Sequence, residues 1–313
     1  VGDIELPALE STNPLGFLAA LGVLDVLHRS GRTATLRWTD ELVPHAVVTG
    51  ASLDEVIELV LADLEGWRSS VVLAWPENDP LHDVKPGPDQ LRAWARSVWS
   101  GEDAASADLF CALVAEGALD GSGKAKPTHL HFTAGQQKFL GMLRKLASEV
   151  GPNDVREALA GPWRHASELP SLSWDSRGER VFALRGFDPS KEKRMGIPGA
   201  DWLAFLGLRF FPVANSKGSL VTTACDRGWK RSRLRWPVWA VPLSAPVVLS
   251  LLCDPGLIDE NPRDRALDAK RLAARGIHQV LEARIRRSDQ GGYGSFGAAE
   301  TLVDARPFRP RDA

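Results

Sequence analysis

Ser11-Thr-Asn-Pro-Leu-Gly-Phe-Leu-Ala-Ala-Leu-Gly-Val-Leu-Asp-Val-Leu-His-Arg-Ser-Gly31 is the stretch on which the fold turns. Three polar residues precede Pro14, which suits a helix cap followed by proline at the first helical position. Leu15, Leu18, Leu21 and Leu24 to Leu27 then leave almost no polar face, and Gly31 can supply the left-handed residue that ends the helix. A helix apolar all round must be buried, here against a sheet. Asp25 interrupts the apolar run and no basic segment precedes it, so a core helix is expected and not a signal peptide.

Past this helix, Thr33 to Trp38 alternates as a strand does, with His45 to Thr49 as its pairing partner. Ser52 with Glu55 is a capping box that opens an acidic helix to about Leu64. Val71 to Trp75 reads as a short strand and Pro76 to Pro88 as a surface loop. Gln90 to Trp99 and Ala105 to Ala115 read as helices. Asp120 to Pro127 reads as a linker, dividing an acidic, helix-rich region (1–125) from a basic one (126–313). Beyond it come a short strand at Leu130 to Phe132 and a basic helix from Gly135 to Val150. Strands are expected at Arg180 to Arg185, Leu208 to Val213, Leu220 to Ala224 and Leu234 to Val241. An apolar helix is expected at Ala200 to Leu206, a basic one at Arg265 to Arg275, and either element at Val280 to Arg286. No regular strand–helix alternation appears. The pattern predicts an α+β fold of mixed helices and mainly antiparallel sheets.

The net charge of −2 over 313 residues conceals a polarity. Residues 1–120 hold 7 basic and 20 acidic groups, and residues 121–313 hold 31 and 20. At 44% hydrophobic and 25% charged the composition is that of a globular protein. No run of 18 apolar residues predicts a membrane span. Cys111, Cys225 and Cys253 are odd in number and far apart, which suits a reducing cytoplasm better than a disulfide framework.

The densest chemistry lies in Arg227-Gly-Trp-Lys-Arg-Ser-Arg-Leu-Arg-Trp236, five basic residues in ten. On a strand Arg231, Arg233 and Arg235 share one face, about 7 Å apart, a spacing that matches successive phosphates. Lys230 and Trp229 belong to the same turn, Trp229 being the candidate wedge or stacking side chain. The alternative is an edge strand whose charges discourage aggregation. A loop with Lys191, Lys193 and Arg194 follows Arg180 and Arg185, with Lys217 beyond it. Gln136 and Gln137 stand at an expected helix start, where free amides suit phosphate. His129 and His131 lack a third ligand at metal spacing and are read as packing residues, with no metal or cofactor expected. The sequence holds no GxxxxGK[ST], GxSxG, HExxH or CxxC pattern, so a non-enzymatic role is expected. A stand-alone nucleic-acid-binding regulator, or an enzyme on a phosphorylated or nucleotide substrate, are the competing readings.

Three phrases carry a family resemblance: Ser11-Thr-Asn-Pro-Leu-Gly-Phe-Leu-Ala-Ala-Leu-Gly-Val-Leu24, Phe132-Thr-Ala-Gly-Gln-Gln137 and Gly199-Ala-Asp-Trp-Leu-Ala-Phe205. They resemble phrases in proteins of type I-G (formerly I-U) CRISPR systems. The resemblance implies a large-subunit-like or accessory component of a Cascade-type surveillance complex that contacts crRNA, its 5′ handle, or the flanking motif and target DNA. Its other partners would be backbone subunits and a recruited helicase-nuclease, with sequence read mostly by guide pairing. The chain is short for a large subunit, which leaves open which of the two roles it takes.

Overall fold

The computed structural model describes residues 2–75, 84–101, 103–133, 137–178, 195–226, 228–258, 268–287 and 293–306. The chain begins with β1 (Ile4–Glu10), α1 (Pro14–Arg29), β2 (Leu36–Trp38), β3 (His45–Val48), α2 (Leu53–Trp67) and α3 (Val71–Ala74). Then come α4 (Pro88–Trp99), α5 (Ala104–Leu113), β4 (Val114–Leu119), β5 (Ala125–Pro127), α6 (Phe139–Glu149) and α7 (Pro152–Ala160). After α8 (Pro198–Gly207) follow β6 (Val213–Ser216), β7 (Ser219–Thr222), β8 (Arg233–Trp239), α9 (Ala245–Leu252) and α10 (Pro255–Ile258). The last elements are α11 (Ala269–Ala274), β9 (Ile277–Arg287), β10 (Gly294–Phe296) and β11 (Glu300–Asp304). One sheet has the order β1-β3-β2. In a second, β9 pairs with β8 on one edge and with β10 and β11 on the other. β4–β5 and β6–β7 are separate hairpins, and every one of these pairings is antiparallel. The fold is α+β. Among the described residues no helix is long and apolar enough to cross a membrane.

α1 is capped as its sequence requires. The Asn13 side-chain oxygen accepts from the Leu15 N–H at 3.1 Å, and Pro14 takes the first position. The Asn13 amide donates to Asp175 at 2.8 Å, anchoring the cap to a distant loop. Every residue from Pro14 to Leu27 is buried. α1 packs against the first sheet and crosses α8 so closely that glycine is required. A Cβ on Gly22 would fall 1.9 Å from the Leu203 carbonyl oxygen, and one on Gly207 2.1 Å from that of Leu18. Phe17 sits in an aromatic cluster with Trp38, Trp236 and Trp239, ring centroids 5.6–6.3 Å apart. The indole N–H of Trp236 donates to the Ser11 carbonyl and that of Trp239 to the Leu36 carbonyl. Leu36 and Leu243 bridge β2 to the chain after β8. The acidic and basic regions therefore share one hydrophobic core. The change of charge sign divides surface, and the chain packs as one body across residue 125.

The capping box at Ser52 and Glu55 is present, and α2 runs one turn past the expected end. β1 is hidden in the sequence because Glu5, Pro7 and Glu10 break its pattern. Its register with β3 shifts between Leu6 and Glu10, around that proline. Asp120 to Pro127 is no linker. Asp120 accepts from the amides of Ser122 and Lys124, folding the tip of the β4–β5 hairpin. Val71 to Ala74 is a helical turn and not a strand, since a short apolar run carries no period of its own. Leu208–Phe210 is likewise a 3-10 turn continuing α8. Leu130 to Phe132 is irregular, its carbonyls taken instead by Trp174, Arg287 and Gly294. Val280 to Arg286 resolves as strand within β9. The strand expected at Arg180 to Arg185 lies outside the described residues.

Candidate nucleic-acid interface

β8 and β9 decide what becomes of the basic run. Their antiparallel register sets Arg233 opposite Arg284 and Arg235 opposite Glu282. Side chains alternate, so these four and Arg286 belong to one sheet face. The face is closed at one end and open at the other: Glu282 and Arg235 are buried, while Arg284 and Arg286 are exposed.

Arg235 is not part of an open row. It is 6% exposed, and its Nε donates to Glu282 at 2.6 Å, with Asp226 3.9 Å away. A guanidinium buried on a strand needs a carboxylate, and the register supplies one. Arg233 is partly exposed and shares Glu282 (3.4 Å) and Asp226 (4.0 Å). Arg231 precedes the strand and lies in the turn, so the single comb of Arg231, Arg233 and Arg235 does not form. What forms is a cationic end of the sheet. Lys230 and Arg231 stand exposed on the turn, and Arg233, Arg284 and Arg286 stand on the face beside it. Like charges directly across a ladder are unfavourable, by roughly 0.2–1 kcal/mol on the scale of cross-strand pairs. An anion laid across Arg233 and Arg284 would relieve that cost.

The turn itself is held rigidly from beneath. Arg287, at the end of β9, lies 3.7 Å from the Trp229 ring centroid and 5.5 Å from that of Phe132. It donates to the carbonyls of Trp229, His131 and His129 at 3.2, 2.9 and 2.8 Å. Burial lowers its pKa to about 10, still cationic at neutral pH. His129 clamps the other side. Its Nε2 reaches the Gly228 carbonyl at 3.0 Å and its Nδ1 the Thr222 hydroxyl at 2.7 Å. A carbonyl only accepts, so Nε2 carries the proton and the Thr222 hydroxyl donates to Nδ1. Burial and then the Arg287 charge push His129 down to about 4, keeping the ring neutral. His131 meets the Thr133 hydroxyl at 2.9 Å. Both histidines are thus packing residues of this hub. Among the described residues no group of three or more His, Cys, Asp or Glu could hold a metal.

Trp229 is therefore sandwiched into the hub by Arg287 and is not a freely projecting wedge. Lys217 sits at the exposed tip of the β6–β7 hairpin with φ of +52°, and Gly218 completes the turn. Gln137 is exposed two residues before α6, whose cap is Lys138, so it does not occupy the helix start. Lys191, Lys193, Arg194, Arg227 and Gln136 lie outside the described residues. Arg284, Arg286 and Arg287 form a basic run that the sequence displays as an extension of the basic half, whereas the acids Asp226 and Glu282 do not stand out in it. The period-two pattern of residues 280–286 holds the signal, because it fixes which arginines share a face. No family model matches this chain, and no curated protein matches it.

Proposed function

We propose that this chain is a non-catalytic nucleic-acid-binding subunit of a type I CRISPR surveillance complex, meeting crRNA or target DNA through the open end of the β8–β9 face. The observation that carries the binding role is the pairing of Arg233 with Arg284 across the ladder, beside Arg286 and the exposed Lys230 and Arg231. Residues 226–235 and 282–287 together hold eight basic and two acidic residues. Such a surface reads phosphates and carries little base information, as suits a subunit in which guide pairing selects the sequence. The placement in a surveillance complex draws on the resemblance in residues 11–24, 132–137 and 199–205. The acidic surface of the first 120 residues would then face basic backbone subunits, and strand cleavage would belong to a recruited helicase-nuclease.

The test is a triple variant, Lys230→Ala with Arg231→Ala and Arg284→Ala, in a salt titration of oligonucleotide binding. Each lost phosphate contact should lower the slope of log K against log salt by about 0.7–0.9, so the triple variant loses about 2–3. Arg235→Ala should instead cost roughly 1–3 kcal/mol of stability in a denaturant melt, since it removes the 2.6 Å partner of buried Glu282 and leaves that carboxylate the longer contact to Arg233. An intact triple variant with unchanged affinity and slope would sink the proposal. Co-purification of a short RNA with the native assembly would support its second part, and a purified assembly free of RNA would refute it.

A further inference from the structure

β10 extends the basic face past β9. It pairs with the end of β9 so that Gly294 lies opposite Arg287, Ser295 opposite Arg286 and Phe296 opposite Ile285. Side chains alternate along a strand, so Gly294 and Phe296 turn to one side and Ser295 to the other. Packing identifies the two sides. Phe296 is fully buried and meets the Phe132 ring edge-on, with centroids 4.9 Å apart. A Cβ on Gly294 would fall 2.5 Å from that same ring, and Arg287 lies over it at 5.5 Å. That side is the closed hub, and Ser295 therefore shares the open side with Arg284 and Arg286. A Cβ on Gly297 would stand 3.4 Å from Arg286 Nε, so this guanidinium lies along the same row.

Tyr293 is the next residue of that row. It stands two residues before Ser295, about 7 Å along the strand direction, where alternation sets it on the side of the arginines. It is 46% exposed, which agrees with that placement. The opposite end of the face is acidic, because Glu300 of β11 lies across the ladder from Glu282. Phosphates resting on Arg233, Arg284 and Arg286 are repelled from that end and directed toward Tyr293.

We infer that this face takes a single strand of RNA or DNA, with phosphates on Arg284 and Arg286 and one base stacked on the Tyr293 ring. The inference rests on the basic face being the nucleic-acid surface, and adds which form of nucleic acid that surface accepts. A duplex offers the arginines the same phosphates but keeps its bases stacked inside, away from a ring on a sheet surface. A single strand can turn a base out onto it. Such stacking tolerates any base, as suits a surface that reads little sequence.

Tyr293 is the only tyrosine of the chain, so protein labelled with fluorotyrosine reports on this residue alone. Unstructured oligomers of thymidine and of uridine, about 12 nucleotides each, should bind and move its fluorine resonance. An abasic sugar–phosphate chain of the same length should bind more weakly and leave the resonance in place. Tyr293→Ala should weaken binding of both oligomers about tenfold with the salt slope unchanged, and Tyr293→Phe should keep the affinity. Binding of a duplex of equal length should not respond to Tyr293→Ala. The tighter of the two oligomers identifies the sugar that the face takes. Failure of the unaltered chain to bind either oligomer would overturn the basic-face reading and this inference together. Salt-dependent binding that Tyr293→Ala leaves unchanged, or that it weakens equally for duplex and single strand, would overturn the inference alone.

Discussion

Asp201 stands in the first turn of α8 with its carboxyl sealed from solvent. Burial raises its pKa to about 8, and the nearby Asp175 charge adds to the rise. The Leu172 amide, which donates to its Oδ1 at 3.0 Å, works against that rise without cancelling it. The unfolded chain releases this proton near pH 4, whereas the folded chain keeps it to about pH 8. The stabilisation is therefore complete below about pH 4 and is lost progressively as pH rises toward 8. Asp201→Asn, neutral at every pH, should flatten that slope and raise the melting temperature at pH 8 by at least about 2–4 °C, for roughly 1 kcal/mol or more gained. Thermal melts at pH 5 and pH 8 check it, and a variant less stable at pH 8 would refute it. Single residues are the least legible level of the sequence. Arg233 and Arg235 read as equivalent, yet one is partly open and the other buried, because burial depends on which carboxylate the register brings across.

Among the elements, α1 and α8 form the tightest joint. Both glycines of the crossing face backbone atoms, which cannot rotate away as a side chain would. Gly22→Ala or Gly207→Ala should therefore cost about 3 kcal/mol or more through displacement of one helix from the other. Gly66→Ala is the control: it sits in α2 with open space at its Cβ and should gain up to about 1 kcal/mol from helix propensity. Denaturant melts of the three variants decide between a packing cost and a propensity effect, since propensity alone would stabilise all of them. Elements with a cap and a long period are the most legible, α1 almost to the residue and α2 at its cap and to within one turn of its end. Short runs such as Val71–Ala74 and Leu208–Phe210 are not, because one turn of helix and one short strand expose the same apolar pattern.

The whole molecule joins two oppositely charged regions through one core. Phe17 and Leu36 of the acidic region meet Trp236 and Trp239 of the basic one, and α1 meets α8. A fragment of residues 1–125 alone would expose that apolar surface and should show no cooperative thermal transition, whereas co-expression with residues 126–313 should restore one. A cooperative melt of the short fragment by circular dichroism would contradict this. Local pattern and composition suffice for the buried helix, its cap, the capping box of α2, the α+β class and the polarity of charge. They do not suffice to show that the polarity lies on one body, that Asp120 to Pro127 turns a hairpin, or that Arg284 in place of Arg235 completes the open cationic end. Those outcomes emerge in three dimensions, because they depend on strand register and on contacts between residues far apart in the chain, which local pattern does not encode.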